Sequence, residues 1–430
     1  MNFDLLHPKD QIVEIMARIY AQDMTTTSGG NISVRDETGD VWITPARVDK
    51  GSLGRDDIVR LAPDGSCVGS HPPSSEYPFH LQVYAARPDI QAIIHAHPGG
   101  LVSFSICGQV PDTRVLPEAD SMCGRAAFAP YALPGSHMLG EKVAAQFRDP
   151  SRPFCVVLEN HGVVVGGADL ASVFQRFEAL EFTAQTLLNA HRLGPVSPLR
   201  PDQLAFARSA RHPLPEHAPR LPTSLGKEAR KDVCDFVHRA CRHRLMASGC
   251  GSFSARIQAD VFVITPNRLD RRALNLEDLV IIREGRRPEG SQPSRAVDLH
   301  RAIYEAHPEV CAVVHALPVH ATAFSLSKTR LETRTIPESY LFLKDVPKIP
   351  FALAYGDGRA VAEMVGPAHP VALLENNGVL VAGRSVLDAF DRLEVLESTA
   401  SALIRSRALG AIAPLPEAVI QELLEAFPSV

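Results

Sequence analysis

Residues 91–100 read QAIIHAHPGG and residues 311–320 read CAVVHALPVH. The frame is the same in both, an apolar run closing on histidine, but Leu317 stands where His97 would be repeated. The recurrence extends along the chain. VWITPARVDKGSL at 41–53 returns as VFVITPNRLDRRAL at 261–274, and DDIVRL at 56–61 as EDLVII at 277–282. YAARPDIQAIIHAH at 84–97 returns as YEAHPEVCAVVHAL at 304–317, CVVLENHGVVVGG at 155–167 as VALLENNGVLVAG at 371–383, and FQRFEALE at 174–181 as FDRLEVLE at 390–397. The offset holds near 220 and then 216, a period of domain size rather than of a solenoid repeat. The chain is read as two duplicated domains, 1–194 and 225–430. Between them, 195–224 is a linker carrying Pro195, Pro198, Pro201, Pro213, Pro215, Pro219 and Pro222. Proline removes a backbone donor and disfavours helix at the preceding residue, so a semi-rigid connector is expected.

Within each copy, helix and strand signals alternate. Ile12, Ile15, Met16 and Ile19 form one helical stripe over residues 8–22. VWIT, QAIIHAH and CVVL are short β-rich runs, while FHLQVYAA and 170–191 have helical periodicity. Strands and helices intermix without a regular βαβ rhythm. The expected class is α/β, a sheet flanked by helices in each half.

Composition narrows the function classes. With 430 residues, 45% hydrophobic and 22% charged, the sequence has the profile of a soluble globular protein of about two domains. A net charge of -5 and no basic-aromatic interleaving speak against nucleic acid. No apolar stretch is long enough to span a bilayer, and no secretory signal is visible, so a cytoplasmic protein with no membrane role is expected. The eight cysteines are scattered without a CxxC pair, and buried reduced thiols are expected.

His95 and His97 lie two apart on a strand, so both imidazoles point to one face. His161 follows another apolar run and precedes Gly162, where a turn can aim it back at the pair. Three histidines with an open fourth position describe a catalytic metal site rather than a structural one. Glu76 opens the helix before the HxH strand. It is read as a general acid/base beside the metal, against the plainer reading of a carboxylate favoured by the helix dipole. SGGN at 28–31 offers small residues and an amide, and Ser74 and Ser75 lie at a helix start, a natural anion site. Arg47 is a carboxylate-binding candidate, with a solvated surface arginine as the alternative.

Together SGGNISVR (28–35), ITP (43–45), PSSEYPFH (73–80), HAH (95–97), APYALPGS (129–136) and NHG (160–162) make the first half resemble the class II aldolase/adducin family. The resemblance implies an α/β/α sandwich with a mostly antiparallel sheet in each half. It implies a metal on His95, His97 and His161, with Glu76 as catalytic acid/base and an anion cradle from Asn31, Ser74 and Ser75. Zinc is the default metal, with Mn, Co or Fe as alternatives. Sugar-phosphate members carry a small residue and a glycine where Ala46 and Arg47 stand. Aldolase members use a tyrosine in the stretch LPEADSM, which here holds only Glu118 and then Asp120 as candidates. In the second half Glu76, His97 and His161 become Ala296, Leu317 and Asn377, and only His315 remains. That half is read as a degenerate domain. The family's four-fold ring implies a homodimer closing a pseudo-four-fold ring, with Glu338 or Tyr340 of the degenerate domain available to complete a neighbour's site. The expected activity is metal-dependent lysis of a C–C bond, by aldol cleavage or decarboxylation through a metal-stabilised enediolate. The substrate is a small hydroxy or oxo molecule, with a carboxylate favoured by Arg47. An epimerase or dehydratase, and a non-catalytic adducin-like binding protein, are the alternatives.

Overall fold

The computed structural model describes residues 3–149, 154–209, 213–356 and 358–427. The chain divides into two compact units. The first comprises Met1–Thr113 and Glu118–Gln185, the second Arg114–Pro117 and Thr186–Val430.

The first unit opens with α1 (Pro8–Ala21), whose buried stripe is Ile12, Ile15, Met16 and Ile19. Pro8 occupies the first turn, where its missing N–H costs nothing, and the His7 ring accepts from Lys9 N as a cap. Four strands follow: β1 (Asn31–Arg35), β2 (Val41–Ile43), β3 (Val59–Leu61) and β4 (Cys67–Val68). Then come α2 (Tyr77–Ala86), β5 (Ala92–Ala96), α3 (Gly99–Ile106), α4 (Pro117–Cys123), β6 (Ala127–Ala129) and α5 (His137–Phe147). The unit closes with the hairpin β7 (Cys155–Leu158) and β8 (Gly162–Gly167), and with α6 (Leu170–Leu193). The sheet order is β4-β3-β2-β1-β5-β8-β7-β6, antiparallel throughout except for the parallel β6–β7 edge. On one face, α2 and α5 cover Val41, Ile43, Val59, Leu61, Ile93, Val156, Leu158 and Val164. Strand alternation puts Ile93 and His95 on this same face.

Register positions the site. Asn31 pairs with His95 across β1–β5, and His95 pairs with Val164 across β5–β8. The first residue of β1, the end of β5 and the β7–β8 turn therefore meet at one end of the sheet. Gly30 has φ +73°, and a Cβ there would sit 2.7 Å from the His95 carbonyl oxygen, so only glycine lets β1 start against β5.

The second unit repeats the pattern. Its elements are α7 (Pro201–Arg208), β9 (Glu216–His217), α8 (Ser224–Arg242), β10 (Ser252–Gln258), β11 (Val261–Ile264), β12 (Val280–Arg283) and β13 (Arg287–Pro288). They continue through α9 (Val297–Ala306), β14 (Ala312–Ala316), α10 (Val319–Leu326), α11 (Pro337–Leu343), β15 (Lys348–Ile349), α12 (Phe351–Ala354) and α13 (Arg359–Ala362). The unit ends with β16 (Val371–Leu374), β17 (Val379–Gly383), α14 (Val386–Ser406) and α15 (Glu417–Ala426). The sheet order is β12-β11-β10-β14-β17-β16-β15, the order of the first unit without its outermost strand, and β15–β16 is the parallel edge. Backbone strain repeats too. Arg47 and Arg268 have φ 59° and 56°, and Asn160 and Asn376 both have φ 53°.

The proline-rich connector carries more structure than an extended tether. Pro201 starts α7 from the first turn, and Leu199, Leu204 and Ala207 bury against Phe351. β9 pairs in parallel with β13. The thiols are all free. Five are buried, whereas Cys67 and Cys107 are exposed and Cys311 is intermediate, so the expectation of burial holds for only part of the set. Among the described residues no helix is long and apolar enough to cross a membrane.

Candidate metal centre

His95, the next-to-last residue of β5, is fully buried, and His97 follows just past the strand end. His161 sits on the β7–β8 turn. That turn is held by Ser105, whose hydroxyl donates to the Leu158 carbonyl (2.7 Å) and accepts from His161 N (3.0 Å). The ring centroids are 4.8 Å apart for His95–His97 and for His95–His161, and 5.0 Å for His97–His161. One ligand nitrogen from each lies within 4.8 Å of the others, and this is the one such metal-type group among the described residues. His95 Nδ1–H donates to the Val163 carbonyl at 2.9 Å, which orients the ring with Nε2 toward the cluster. Metal-bound histidines are commonly oriented by such a second bond. Burial first, then the charge of neighbouring rings, pushes His97 down to about 3 and His161 down to about 4. Both imidazoles are therefore neutral near pH 7, the form that ligates.

Glu76 is the cap residue of α2 and is 8% exposed. Its Oε2 lies 3.2 Å from His95 Nε2, and its Oε1 lies 3.4 Å from His161 Nε2. Burial opposes its ionisation. The facing His95 and His161 rings and the Asn31 amide overcome that and hold the carboxyl well below the usual range. Glu76 Oε1 and His161 Nδ1 are buried without a hydrogen-bond partner. Orphaned atoms of this kind are costly unless something binds there. Three converging imidazoles beside a carboxylate and these orphans fit a divalent cation.

The family signal runs over both halves. The family described as Class II Aldolase and Adducin N-terminal domain matches residues 10–188 and again residues 231–404. The chain belongs to this family. Over 184 residues it is 35% identical to an L-fuculose phosphate aldolase of Methanocaldococcus jannaschii, covering 42% of this chain and 96% of that one. It is 30% identical over 184 residues to a 3-oxo-tetronate 4-phosphate decarboxylase of Haemophilus influenzae, covering 42% and 86%. Among solved structures, a comparison with an L-fuculose 1-phosphate aldolase gives 28% identity over 46% of this chain and 93% of that one, with a TM-score of 0.43.

The other expected site residues take varied positions in this class II aldolase-type unit. Ser74 is buried and its hydroxyl accepts from Glu76 N (3.3 Å), while Ser75 is exposed. Asn31 is not open to solvent. Its Nδ2 donates to Glu76 Oε2 (2.9 Å) and its Oδ1 meets His80 Nε2, so the amide serves Glu76 first. Arg47 is exposed in a left-handed conformation on a loop pinned from below by Lys50, whose Nζ donates to the Pro45 carbonyl at 2.8 Å. Glu118 lies on α4 with Oε2 buried and unpartnered, and no contact joins it to the histidines among the described residues. Tyr340 is buried on α11 under the Arg334 guanidinium, 5.1 Å from its ring centroid, while Glu338 is exposed.

In the second family domain the equivalent place is filled. His315 Nε2–H donates to the Asn377 carbonyl at 2.7 Å, and the Tyr355 hydroxyl donates to Asn377 Oδ1 at 3.0 Å. Leu317 is buried, and a Cβ on Gly378 would meet its Cγ at 2.9 Å. Side chains and tied-up donors stand where the first domain gathers ligands.

The sequence reading passed over Ser33, His80 and Tyr84, which back the site. His80 Nδ1 and the Tyr84 hydroxyl each lie 2.7 Å from Ser33 Oγ. It also passed over Glu181, whose carboxylate accepts from Gly100 N and Leu101 N at 2.9 Å each and so anchors α3 behind the histidines. A signal existed. Histidine and tyrosine four apart recur as His80/Tyr84 and His300/Tyr304, and S-x-R recurs at 33–35 and 254–256.

Proposed function

We propose that the chain is a divalent-metal-dependent carbon–carbon lyase with one working centre, the one in the first unit, acting on a small hydroxy or oxo compound. The supporting observation is the complete donor set. Three imidazoles converge beside a carboxylate with one orphaned oxygen, whereas the same place in the second unit is filled.

His95, His97 and His161 would hold the ion, zinc by default with Mn, Co or Fe as alternatives. When bound, it would polarise a substrate oxygen and stabilise negative charge developing there. Glu76 moves the proton, with Oε1 as the atom that no hydrogen bond holds. Ser74 and Ser75, at the start of α2, bind an anionic group of the substrate. Arg47 favours a carboxylate-bearing substrate, and Glu118 is the second proton-transfer candidate. Aldol cleavage and decarboxylation both leave charge on a substrate oxygen, so one donor set serves either. The similarity to an aldolase and to a decarboxylase accords with that.

The test is turnover of L-fuculose 1-phosphate and of 3-oxo-tetronate 4-phosphate by the metal-loaded protein. Cleavage of one of them is expected, abolished by chelation. Glu76→Gln is expected to lower kcat by roughly 10²–10⁴, the usual worth of a positioned acid/base, with metal content unchanged. Metal-loaded protein that cleaves neither compound, or full turnover by the Glu76→Gln variant, contradicts the reading.

A further inference from the structure

We propose that Tyr84, Ser33, His80 and Asn31 form a one-way hydrogen-bond relay that pins Glu76 by Oε2 and so makes Oε1 its proton-carrying atom. The inference rests on the lyase reading for its catalytic consequence, though not for the direction of the relay.

The direction follows link by link from the end at Glu76. The Asn31 group 2.9 Å from Glu76 Oε2 is the amide Nδ2, which only donates. Asn31 must then present its carbonyl Oδ1 to His80 Nε2, 2.5 Å away, and Nε2 must carry the proton. A neutral imidazole has one N–H, so Nδ1 is a bare acceptor. Ser33 Oγ, 2.7 Å from Nδ1, donates its proton there. The Ser33 oxygen is left to accept from the Tyr84 hydroxyl, also 2.7 Å away. Asn31, Ser33, His80 and Tyr84 are all nearly or fully buried, so water does not compete for these links. Burial, with His95 nearby, holds His80 down to about 3, and burial raises the Tyr84 phenol, so neither changes protonation near pH 7. Four dipoles thus align toward one oxygen of the carboxylate. The other oxygen, Oε1, is buried without a hydrogen-bond partner.

The second unit supplies an internal control. Tyr304, Ser254 and His300 repeat the first three members, with Ser254 Oγ 2.7 Å from both the tyrosine hydroxyl and His300 Nδ1. There the chain ends on Ser252 Oγ, 2.9 Å from His300 Nε2, and Ala296 stands at the carboxylate position. The shared trio ties the sheet to the helix in both units. The link through asparagine to a carboxylate exists only in the first, where His80 becomes a positioning residue as well as a packing one.

Two side-chain lengths separate these jobs. Asparagine reaches as far as Nδ1 of histidine, and glutamine as far as Nε2. His80→Asn keeps a partner for Ser33 and loses the donor to Asn31, while His80→Gln keeps that donor. In the full-length metal-loaded protein, with whichever of L-fuculose 1-phosphate and 3-oxo-tetronate 4-phosphate the wild type cleaves, His80→Asn is expected to lower kcat by about 10–100-fold. KM and metal content should stay unchanged, and His80→Gln should recover most of the loss. His300→Asn should lower thermal stability and leave kcat alone. Equal loss of kcat from His80→Asn and His300→Asn, or no recovery with His80→Gln, overturns the proposal. A second readout needs no substrate. In ¹⁵N-histidine-labelled protein the His80 proton is expected on Nε2, and finding it on Nδ1 overturns the relay even if the wild type cleaves neither compound.

Discussion

Arg47 holds a left-handed backbone with φ 59°, as does Arg268 in the second unit with φ 56°. A side chain in that region costs about 1–2 kcal/mol that glycine avoids. Arg47→Gly and Arg268→Gly are each expected to stabilise the protein by up to about 1 kcal/mol in urea denaturation. Only Arg47→Gly should raise KM for a carboxylate substrate, by about 10-fold, the worth of one charge-assisted bond. Equal KM for the two variants would return Arg47 to the solvent. Gly162 is tight for a different reason. An added Cβ would lie 2.5 Å from the Ala96 carbonyl oxygen and 2.6 Å from His97 Cδ2. Gly162→Ala must displace the His97 ring, so metal affinity should fall by about 10–100-fold while the far-ultraviolet spectrum persists. Competition with a chromophoric chelator measures it, and wild-type affinity would mean that His97 is not a ligand.

Helices α2 and α9 each bury one histidine that stays neutral, His80 and His300, both held down to about 3 from an ordinary 6.5. A histidine depressed on folding binds its proton more readily in the unfolded chain. Its contribution to stability is whole above about pH 6.5 and drains away as pH falls toward 3. Each should add about 1.4 kcal/mol per pH unit to the acid slope over that window. Denaturation between pH 7 and 4 should show His300→Asn flattening that slope by one such increment, whatever it does to stability at pH 7. An unaltered slope would mean that His300 is not buried neutral. Much of this level was legible in the sequence. The α1 stripe, the β5 strand with its paired histidines and the long α6 helix follow from periodicities of 3.6 and 2. The short helix inside the connector was not legible, because Pro201 signals a missing donor, and only at the first turn of α7 is that donor not needed. The anion cradle that includes Asn31 comes with the family resemblance, on the glycine-rich turn SGGN. The partners of Asn31 in the structure, Glu76 and His80, come from the start of α2, and only the packing of that helix on the sheet brings them to β1.

For the whole molecule, the duplication kept the packing and changed the chemistry. Sheet order, left-handed turn positions and the histidine–serine–tyrosine trio recur in both units, while the ligand positions do not. We expect two chains to associate, closing the pseudo-four-fold ring that the family resemblance implies, so light scattering should give a mass near twice 46.7 kDa. A mass of one chain at micromolar concentration would rule that assembly out. The asymmetry of the two units is most directly read by counting metal. Elemental analysis of protein reconstituted with excess divalent ion and then dialysed should give one ion per chain. His161→Ala should bring that to none, and His315→Ala should leave it at one. Two ions per chain, or an ion lost with His315 and kept without His161, would contradict a single working centre in the first unit.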